Sequence, residues 1–440
     1  MLRARIVLLM VCIVYVLGPG KAYAQSSPST LQSLMYKVFV EQVVLTKTPA
    51  GVGVVAHDPI FANDPTITSV TSIIQQVSQQ IGSQISTVPL GSSSGGFTYS
   101  FDPALGTFTR STQTFGPAFA ERAATVGKQK VNVGMNYQYG KYTTLDGRNL
   151  ADGDIKFFLL HQPLNPPSFV EGDVIEAALR MKLTTNTTVF YANYGVTNSF
   201  DVGLAVPIEH VSLDLTYRAT ILDFATKVVD PTRHLFPNGS KTQDFTSSGS
   251  ASGIGDVVVR AKYAFLRRGQ YGLAAGLDVR LPTGDDQNML GTGATQTKLF
   301  FVSSTTRGNL SPHVNLGYTA SSGGTDVSNQ FNYVGGTEYA VTPRLTVVGD
   351  LVGRTLQDTL RLQDVSVAHS FRQGATAPPQ TTTLQEVVTE SKNLTTVLAA
   401  VGVKFNAWQN LLISGNVLIS LNDAGLRSRV TPVVGFDYSF

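Results

Sequence analysis

The sequence of 440 residues has few charges and, after its start, no long apolar stretch. Only 14% of its residues are charged, and it contains 41 glycines and 16 tyrosines. A membrane-spanning helix needs roughly 20 consecutive apolar residues, and no segment after residue 24 provides them. Because only helices and closed barrels satisfy every backbone polar group in a bilayer, the composition favours a transmembrane β-barrel.

The first 24 residues have the pattern of a cleaved signal peptide. Arg3 and Arg5 precede an apolar stretch at residues 6–17, and a small-x-small site follows at residues 22–24. This segment carries three of the 33 basic residues and no acidic one, so the mature chain has 30 of each sign. A nucleic-acid partner would require a basic excess, and none is expected.

Residues 25–126 alternate poorly between apolar and polar positions and form a separate predicted domain. Asp64 and Pro65 are typical of a helix start. Two hypotheses fit the helix that follows: a periplasmic amphipathic helix, or a plug whose uncharged Ser/Gln face lies in the lumen. The apolar residues repeat at spacings of three and four, at Ile67, Val70, Ile74, Val77 and Ile81.

Residues 127–440 are predicted to form an all-β, antiparallel transmembrane barrel, because apolar and polar residues alternate with a period of two. Twelve strands are expected, with fourteen or more as the alternative. Residues 154–161 are either an additional strand or part of an external hairpin. The twelve predicted strands are 128–143, 173–194, 200–222, 253–265, 270–283, 294–304, 309–320, 330–340, 343–356, 394–406, 409–420 and 429–440.

Short and long connections alternate along this region. Short periplasmic turns and long external loops are typical of bacterial outer-membrane barrels, so the predicted location is the outer membrane. The short connections contain residues 267–270, 306–309, 340–343 and 406–410. The predicted external loops are 223–252, 283–293, 321–329 and 357–393.

Charged residues within the predicted strands are expected to face the lumen. A basic side chain facing lipid at mid-depth costs roughly 2–4 kcal/mol, which favours the inward direction. Such residues either form structural ion-pair ladders or line a selectivity constriction. The candidates are Glu176, Arg180, Lys182, Asp214, Arg218, Asp256, Arg260, Lys262, Asp278, Arg280, Asp350 and Arg354.

The last strand ends in two aromatic residues on its apolar face, Tyr438 and Phe440. This ending resembles the C-terminal signal by which the barrel assembly machinery recognises outer-membrane proteins. The strand must also pair with the first strand, because an open edge leaves backbone groups unpaired in lipid. The assembly machinery and outer-membrane lipid are therefore the expected partners.

Several short motifs resemble an outer-membrane family named for the meta-pathway of phenol degradation. The resemblance covers roughly residues 115–440 and depends on the order of its motifs. The family is similar to channels for long-chain fatty acids and aromatic hydrocarbons. The motifs are Tyr194-Gly195-Val196-Thr197, Asp201-Val202-Gly203, Gly253-Ile254-Gly255-Asp256 with Lys262-Tyr263, Leu281-Pro282-Thr283-Gly284-Asp285, Leu290-Gly291-Thr292-Gly293 and Asn315-Leu316-Gly317-Tyr318.

The resemblance implies passive uptake of small hydrophobic or aromatic compounds. The alternatives are a general diffusion porin for polar solutes and a structural barrel without transport activity. No enzymatic site is expected, because no Ser/His/acid set converges in the sequence. No metal or cofactor is expected either, since the six histidines have no paired ligand spacing and the only cysteine, Cys12, lies in the signal segment.

Overall fold

The computed structural model describes residues 30–39, 43, 65–87, 89, 91–92, 96–102, 107–110, 112–161, 168–323 and 327–440. The predicted signal peptide lies outside the described residues. Residues 31–440 form one compact unit. Among the helices of the described ranges, none is both long and apolar enough to cross a membrane.

Twelve antiparallel strands form a closed barrel, as the alternation predicted. Each strand pairs with its neighbours along the chain, so the order around the barrel follows the sequence. The strands are β1 Val131–Leu145, β2 Val174–Gly195, β3 Phe200–Leu222, β4 Val258–Arg268, β5 Tyr271–Arg280, β6 Thr295–Thr305, β7 Leu310–Ser322, β8 Gln330–Thr342, β9 Leu345–Phe371, β10 Gln380–Trp408, β11 Leu411–Ser420 and β12 Val430–Ser439.

The last strand closes the barrel against the first. β12 pairs with β1 from Val433, opposite Gln138, to Ser439, opposite Asn132. The Phe440 N–H then donates to the Val131 carbonyl at 2.8 Å. Closure leaves neither of these strands with an open edge in lipid.

Apolar side chains on the outer face form the lipid-facing belt. On β3, Val202, Leu204 and Ile208 are exposed at every second or fourth position, as period-two geometry requires. Exposed aromatic residues gather at the end of the barrel that carries the short connections, here called the short-turn end. They are Phe265, Tyr271, Tyr339, Phe405, Trp408, Tyr438 and Phe440, and such a girdle marks a membrane interface.

The opposite, long-hairpin end extends the wall by continued β-structure. The prediction of loops is wrong for two segments, which contain paired strands. Residues 357–393 continue β9 and β10, which stay paired to Phe371 and Gln380. Residues 223–252 include most of a strand, Thr242–Ile254, which pairs with β3. An exposed strand lacks a lipid-facing apolar side, so its sequence does not distinguish it from a loop.

Short accessory elements complete this end. The strand Ile155–Leu160 pairs with β2 and is an addition to the twelve barrel strands. Two further short strands, Arg148–Asn149 and Leu426–Ser428, pair with β1. The 3₁₀ helices are Phe169–Gly172 and Asp286–Asn288, and the strands Tyr99–Asp102 and Thr107–Arg110 form a separate two-stranded sheet.

Two N-terminal helices, α1 (Leu31–Lys37) and α2 (Pro65–Ser86), pack at the long-hairpin end. The predicted helix start at Pro65 is confirmed. The apolar stripe of α2 is buried: Val70 is 8% exposed, and Ile74, Val77 and Ile81 are fully buried. They join one core with the inner residues of β2 and β3. Both helices therefore gain burial from the barrel, which isolated helices lack.

Candidate functional site in the barrel lumen

An irregular segment, residues 112–126, crosses the lumen towards the short-turn end. Its backbone N–H groups donate to inward side chains of the wall, which a non-helical segment at membrane depth requires. Ala118 and Phe119 donate to one carboxylate oxygen of Asp350 at 3.1 and 2.9 Å, and Gly116 donates to Glu338 at 3.2 Å. Three more donations run from Glu121 to Asn315 at 2.5 Å, from Ala123 to Ser304 at 3.0 Å and from Val126 to Asp201 at 2.9 Å.

Ion pairs join the same segment to β4 and β5. Glu121 contacts Arg260 and accepts from Lys262 Nζ at 3.1 Å. Arg260 also makes a two-pronged contact with Asp278, at 2.5 and 2.6 Å. Because a guanidinium matches a carboxylate in this geometry, the network holds residue 121 in a defined position.

A second buried network lies beside it on β7, β8 and β9. His313 Nε2 is 2.8 Å from Asp350, and its Nδ1 is 3.5 Å from Glu338. Arg122 Nη1 lies 3.7 Å from Glu338, and Arg122 Nη2 donates to the Gly96 carbonyl at 3.0 Å. Each carboxylate thus serves the wall and the crossing segment at once.

The C-terminal end of α2 is held by arginines of the wall. Arg354 donates to the Thr87 carbonyl and hydroxyl, both at 2.8 Å, and Arg280 donates to the Ser86 carbonyl at 2.7 Å. The last carbonyls of a helix have no partners within it and carry partial negative charge, so cations stabilise them. Gln84 adds a contact by accepting from the Leu426 N–H at 2.7 Å.

A cavity of about 210 Å³ lies between the end of α2 and the crossing segment. Its lining combines charged, amide, aliphatic and aromatic side chains. Another cavity, of about 460 Å³, lies beside α2, the residues before β8 and the middle of β9. The two share Gln84 as a lining residue, which places this side chain between the long-hairpin end and the central cavity.

The structure places seven of the twelve predicted charges on the inner side of the wall. Arg260, Asp278, Arg280 and Arg354 line the central cavity. Lys262 and Asp350 bind the crossing segment, as described above. Asp256 is buried and accepts from the Gly284 and Thr292 N–H groups at 3.1 and 2.8 Å, beside the cavity rather than in it.

The inward prediction is wrong for the other five, Glu176, Arg180, Lys182, Asp214 and Arg218. They alternate with buried residues of β2 and β3 and lie on the outer face, in the extension beyond the lipid-facing belt. Four of them form ion pairs there: Lys156–Glu176 at 3.1 Å, Lys182–Asp214 at 3.6 Å and Arg218–Asp244 at 2.8 Å. The outward charges indicate that water rather than lipid surrounds this part of the wall, where the penalty of a lipid-facing charge does not apply.

The two residues of the predicted assembly signal lie together at the C-terminal end of β12. The rings of Tyr438 and Phe440 meet edge to face, with centroids 4.7 Å apart, and both are at least 40% exposed. Recognition by the assembly machinery stays a prediction.

Several lumen residues were absent from the sequence prediction. Lys298 alternates with Leu299 and Phe301, which are exposed on β6. The period of two therefore predicts that the Lys298 side chain faces inward. Glu121 and Arg122 had no such signal, because residues 112–126 form no regular element. Within the described ranges, no group of His, Cys, Asp and Glu side chains is arranged to hold a metal ion.

The resemblance to the phenol-degradation family is confirmed by its sequence model. That model, described as "Putative MetA-pathway of phenol degradation", matches residues 165–377. The match includes β2 to β9 and therefore Arg280 and Arg354, which bind the end of α2. No curated protein matches the sequence.

Solved outer-membrane barrels are similar to this chain at low sequence identity. An outer-membrane channel from Pseudomonas putida F1 is 12% identical, with 72% of this chain and 98% of that chain covered and a TM-score of 0.43. A FadL homologue from Pseudomonas aeruginosa is 12% identical, with 79% and 96% covered and a TM-score of 0.32. The toluene transporter TbuX from Ralstonia pickettii is 13% identical, with 71% and 90% covered and a TM-score of 0.28. The first is named as a channel and the third as a transporter.

Proposed function

We propose that this outer-membrane barrel is a channel for the passive uptake of small hydrophobic or aromatic compounds. The observation that carries the proposal is the lumen. It contains a small cavity whose lining includes aromatic and aliphatic side chains among polar and charged ones. The helix α2 closes it towards the long-hairpin end, and residues 112–126 cross the lumen. A wide water-filled pore would suit polar solutes, whereas a small, partly apolar cavity favours apolar ones.

The described part of residues 25–126 then acts as a plug rather than as a periplasmic helix. Polar wall residues hold the crossing segment, and apolar ones hold α2, so both must shift before a solute passes. Deleting residues 65–86 should therefore raise single-channel conductance. An unchanged conductance would favour the periplasmic alternative.

Uptake of a radiolabelled phenol-like solute by intact cells tests the proposal. Cells that make the full protein should take it up faster than cells that make a variant lacking residues 430–440, which cannot close the barrel. Swelling of proteoliposomes in sugars supplies the comparison with a porin. Rapid sugar entry without faster uptake of the aromatic solute would contradict the proposal and favour a general diffusion pore.

A further inference from the structure

The central cavity has an excess of basic side chains. Five basic residues line it, against two acidic ones. Charges inside a protein are screened far less than charges in water, so an uncompensated excess attracts an anion. The basic residues are Arg260, Arg280, Lys298, Arg354 and Arg427, and the acidic ones are Glu121 and Asp278.

Both acidic residues already pair with Arg260, and Glu121 also pairs with Lys262, which does not line the cavity. Asp278 faces Arg260 in the two-pronged contact, and Glu121 is shared by Arg260 and Lys262. These contacts compensate Arg260 and Lys262. They leave four basic lining residues to be balanced by other groups. Arg427 is attracted by Asp146 and Asp423 outside the cavity, which leaves Arg280, Lys298 and Arg354.

Within the described residues, Arg280, Lys298 and Arg354 form no ion pair. Arg280 and Arg354 donate to neutral oxygens at the end of α2. Arg280 is also attracted by Asp256 and Glu209, which do not line the cavity, and by Asp278, which does but is already paired with Arg260.

These cations are close enough for their like charges to repel. Arg354 is affected by the charges of Arg280 and Arg427. Lys298 is attracted by Asp278 and Glu121, which Arg260 already pairs with, and is repelled by Arg260 and Arg280. An anion among them would relieve this repulsion and accept charge-assisted hydrogen bonds.

Aromatic and aliphatic side chains lie next to the cations in the same cavity. The Phe300 ring is flanked by the Arg260 guanidinium at 5.4 Å and the Lys298 ammonium at 5.3 Å. Phe119 and Leu316 also line the space. At about 210 Å³ the cavity lies below the roughly 300–1,000 Å³ that is usual for larger ligands, so its occupant must be small.

We infer that the central cavity binds a small aromatic carboxylate, its carboxylate among Arg280, Lys298 and Arg354 and its ring beside Phe300 and Phe119. This inference rests on the proposed uptake function and narrows its solute class to aromatic acids. Lys298 is the most informative residue, because its ammonium faces the Phe300 ring and it does not hydrogen-bond to α2.

Calorimetric titration of the purified full-length barrel in detergent tests the inference, with benzoate as the probe. Benzyl alcohol, which keeps the ring and lacks the charge, and inorganic phosphate, which keeps the charge and lacks the ring, are the comparisons. Benzoate should bind at least about tenfold more tightly than either, since a charged hydrogen bond contributes 1.5–3 kcal/mol and 1.4 kcal/mol is tenfold. Equal affinity for benzoate and benzyl alcohol would overturn the anion site, and equal affinity for phosphate would overturn the aromatic part.

Three variants locate the site. Lys298→Gln should weaken benzoate binding about tenfold, and Lys298→Arg should restore most of it. Lys182→Gln removes a lysine from the outer face and should change nothing. Unchanged binding by a folded Lys298→Gln protein would overturn the assignment. If that variant does not fold, the three ligands on the unaltered protein still decide. If cells failed to take up the neutral aromatic solute, the proposed function would be contradicted. The binding results on the purified barrel would not be affected by that outcome.

Discussion

The two halves of β3 carry the same alternation with opposite polarity. Near the short-turn end, Leu204 and Ile208 face outward while Asp201 and Glu209 are buried inside. Beyond the lipid-facing belt, the inner residues become apolar, as in Leu213, and the outer ones polar.

The comparison shows that the surroundings decide which face of a strand is apolar. In the half of β3 near the short-turn end, here called the lower half, lipid covers the outside and polar contacts fill the inside. In the half towards the long-hairpin end, here called the upper half, water covers the outside and the helices α1 and α2 fill the inside. A period of two predicts the two faces but not the medium that each of them meets.

The largest expected effect comes from placing a charge in the lipid-facing belt. Leu204→Arg should abolish most of the folded outer-membrane form, because arginine facing the bilayer midplane costs roughly 2–4 kcal/mol. Ser212→Arg is the matched control, since residue 212 lies on the same outer face of β3 above the belt. Heat-modifiable mobility in gels measures folding. If both variants lost the folded form equally, the lipid-facing belt would not end between residues 204 and 212.

The next effect compares adjacent residues on opposite faces of the upper half. Leu213→Ala should lower stability by about 2–5 kcal/mol, because Leu213 is fully buried against the helix core. Asp214→Ala removes an exposed ion pair and should cost at most about 1 kcal/mol. Thermal unfolding measures both. Similar midpoints for the two variants would show that the core between the wall and the helices is absent.

A third effect concerns the polar contacts that hold residues 112–126. Asp350→Asn weakens the acceptor for Ala118 and Phe119 and the contact with His313, so the crossing segment should open more often. A loss of about 1.4 kcal/mol would raise the open fraction about tenfold. Planar-bilayer recordings measure this, with Asp364→Asn in the exposed part of the long hairpin as control. The same conductance in both variants would contradict the role of Asp350 in holding the crossing segment closed.

The smallest effect is a local loosening at low pH in the upper half. Burial opposes ionisation of Asp173, but hydrogen bonds from His234, Thr226 and the Ala225 N–H outweigh it and lower its pKa. A carboxylate with a lowered pKa stabilises the fold above its ordinary range, near 3.9, and this stabilisation is lost as pH falls through the lowered value. Proteolysis within residues 223–241 should rise only below about pH 4. Asp173→Asn should remove that pH dependence, and a retained dependence would point to another group.

Strand positions could be predicted from the sequence because each barrel strand has one face in lipid. β7, for example, was expected at 309–320 and lies at Leu310–Ser322. The helix at Pro65 was recognisable from its spacing of three and four.

The upper wall and the crossing segment could not be predicted for two physical reasons. Arg218 and Asp214 alternate with apolar neighbours just as lumen charges do, and nothing in the pattern indicates that water replaces lipid there. Glu121 lies in a segment without periodicity, so its pairing with Lys262 depends on the closed barrel and not on local sequence.

The most direct test of the plugged channel is a disulfide that fixes α2 to the connection between β5 and β6. A Cβ atom on Gly82 would lie 3.8 Å from that of Met289, the separation that a disulfide requires. The only native cysteine, Cys12, lies in the predicted signal, so the Gly82→Cys, Met289→Cys double variant would form this bond alone. Uptake of the radiolabelled aromatic solute by cells should fall when the bond is oxidised and recover on reduction, whereas neither single variant should respond. Equal uptake in the oxidised and reduced states would contradict movement of α2 as the step that admits solute.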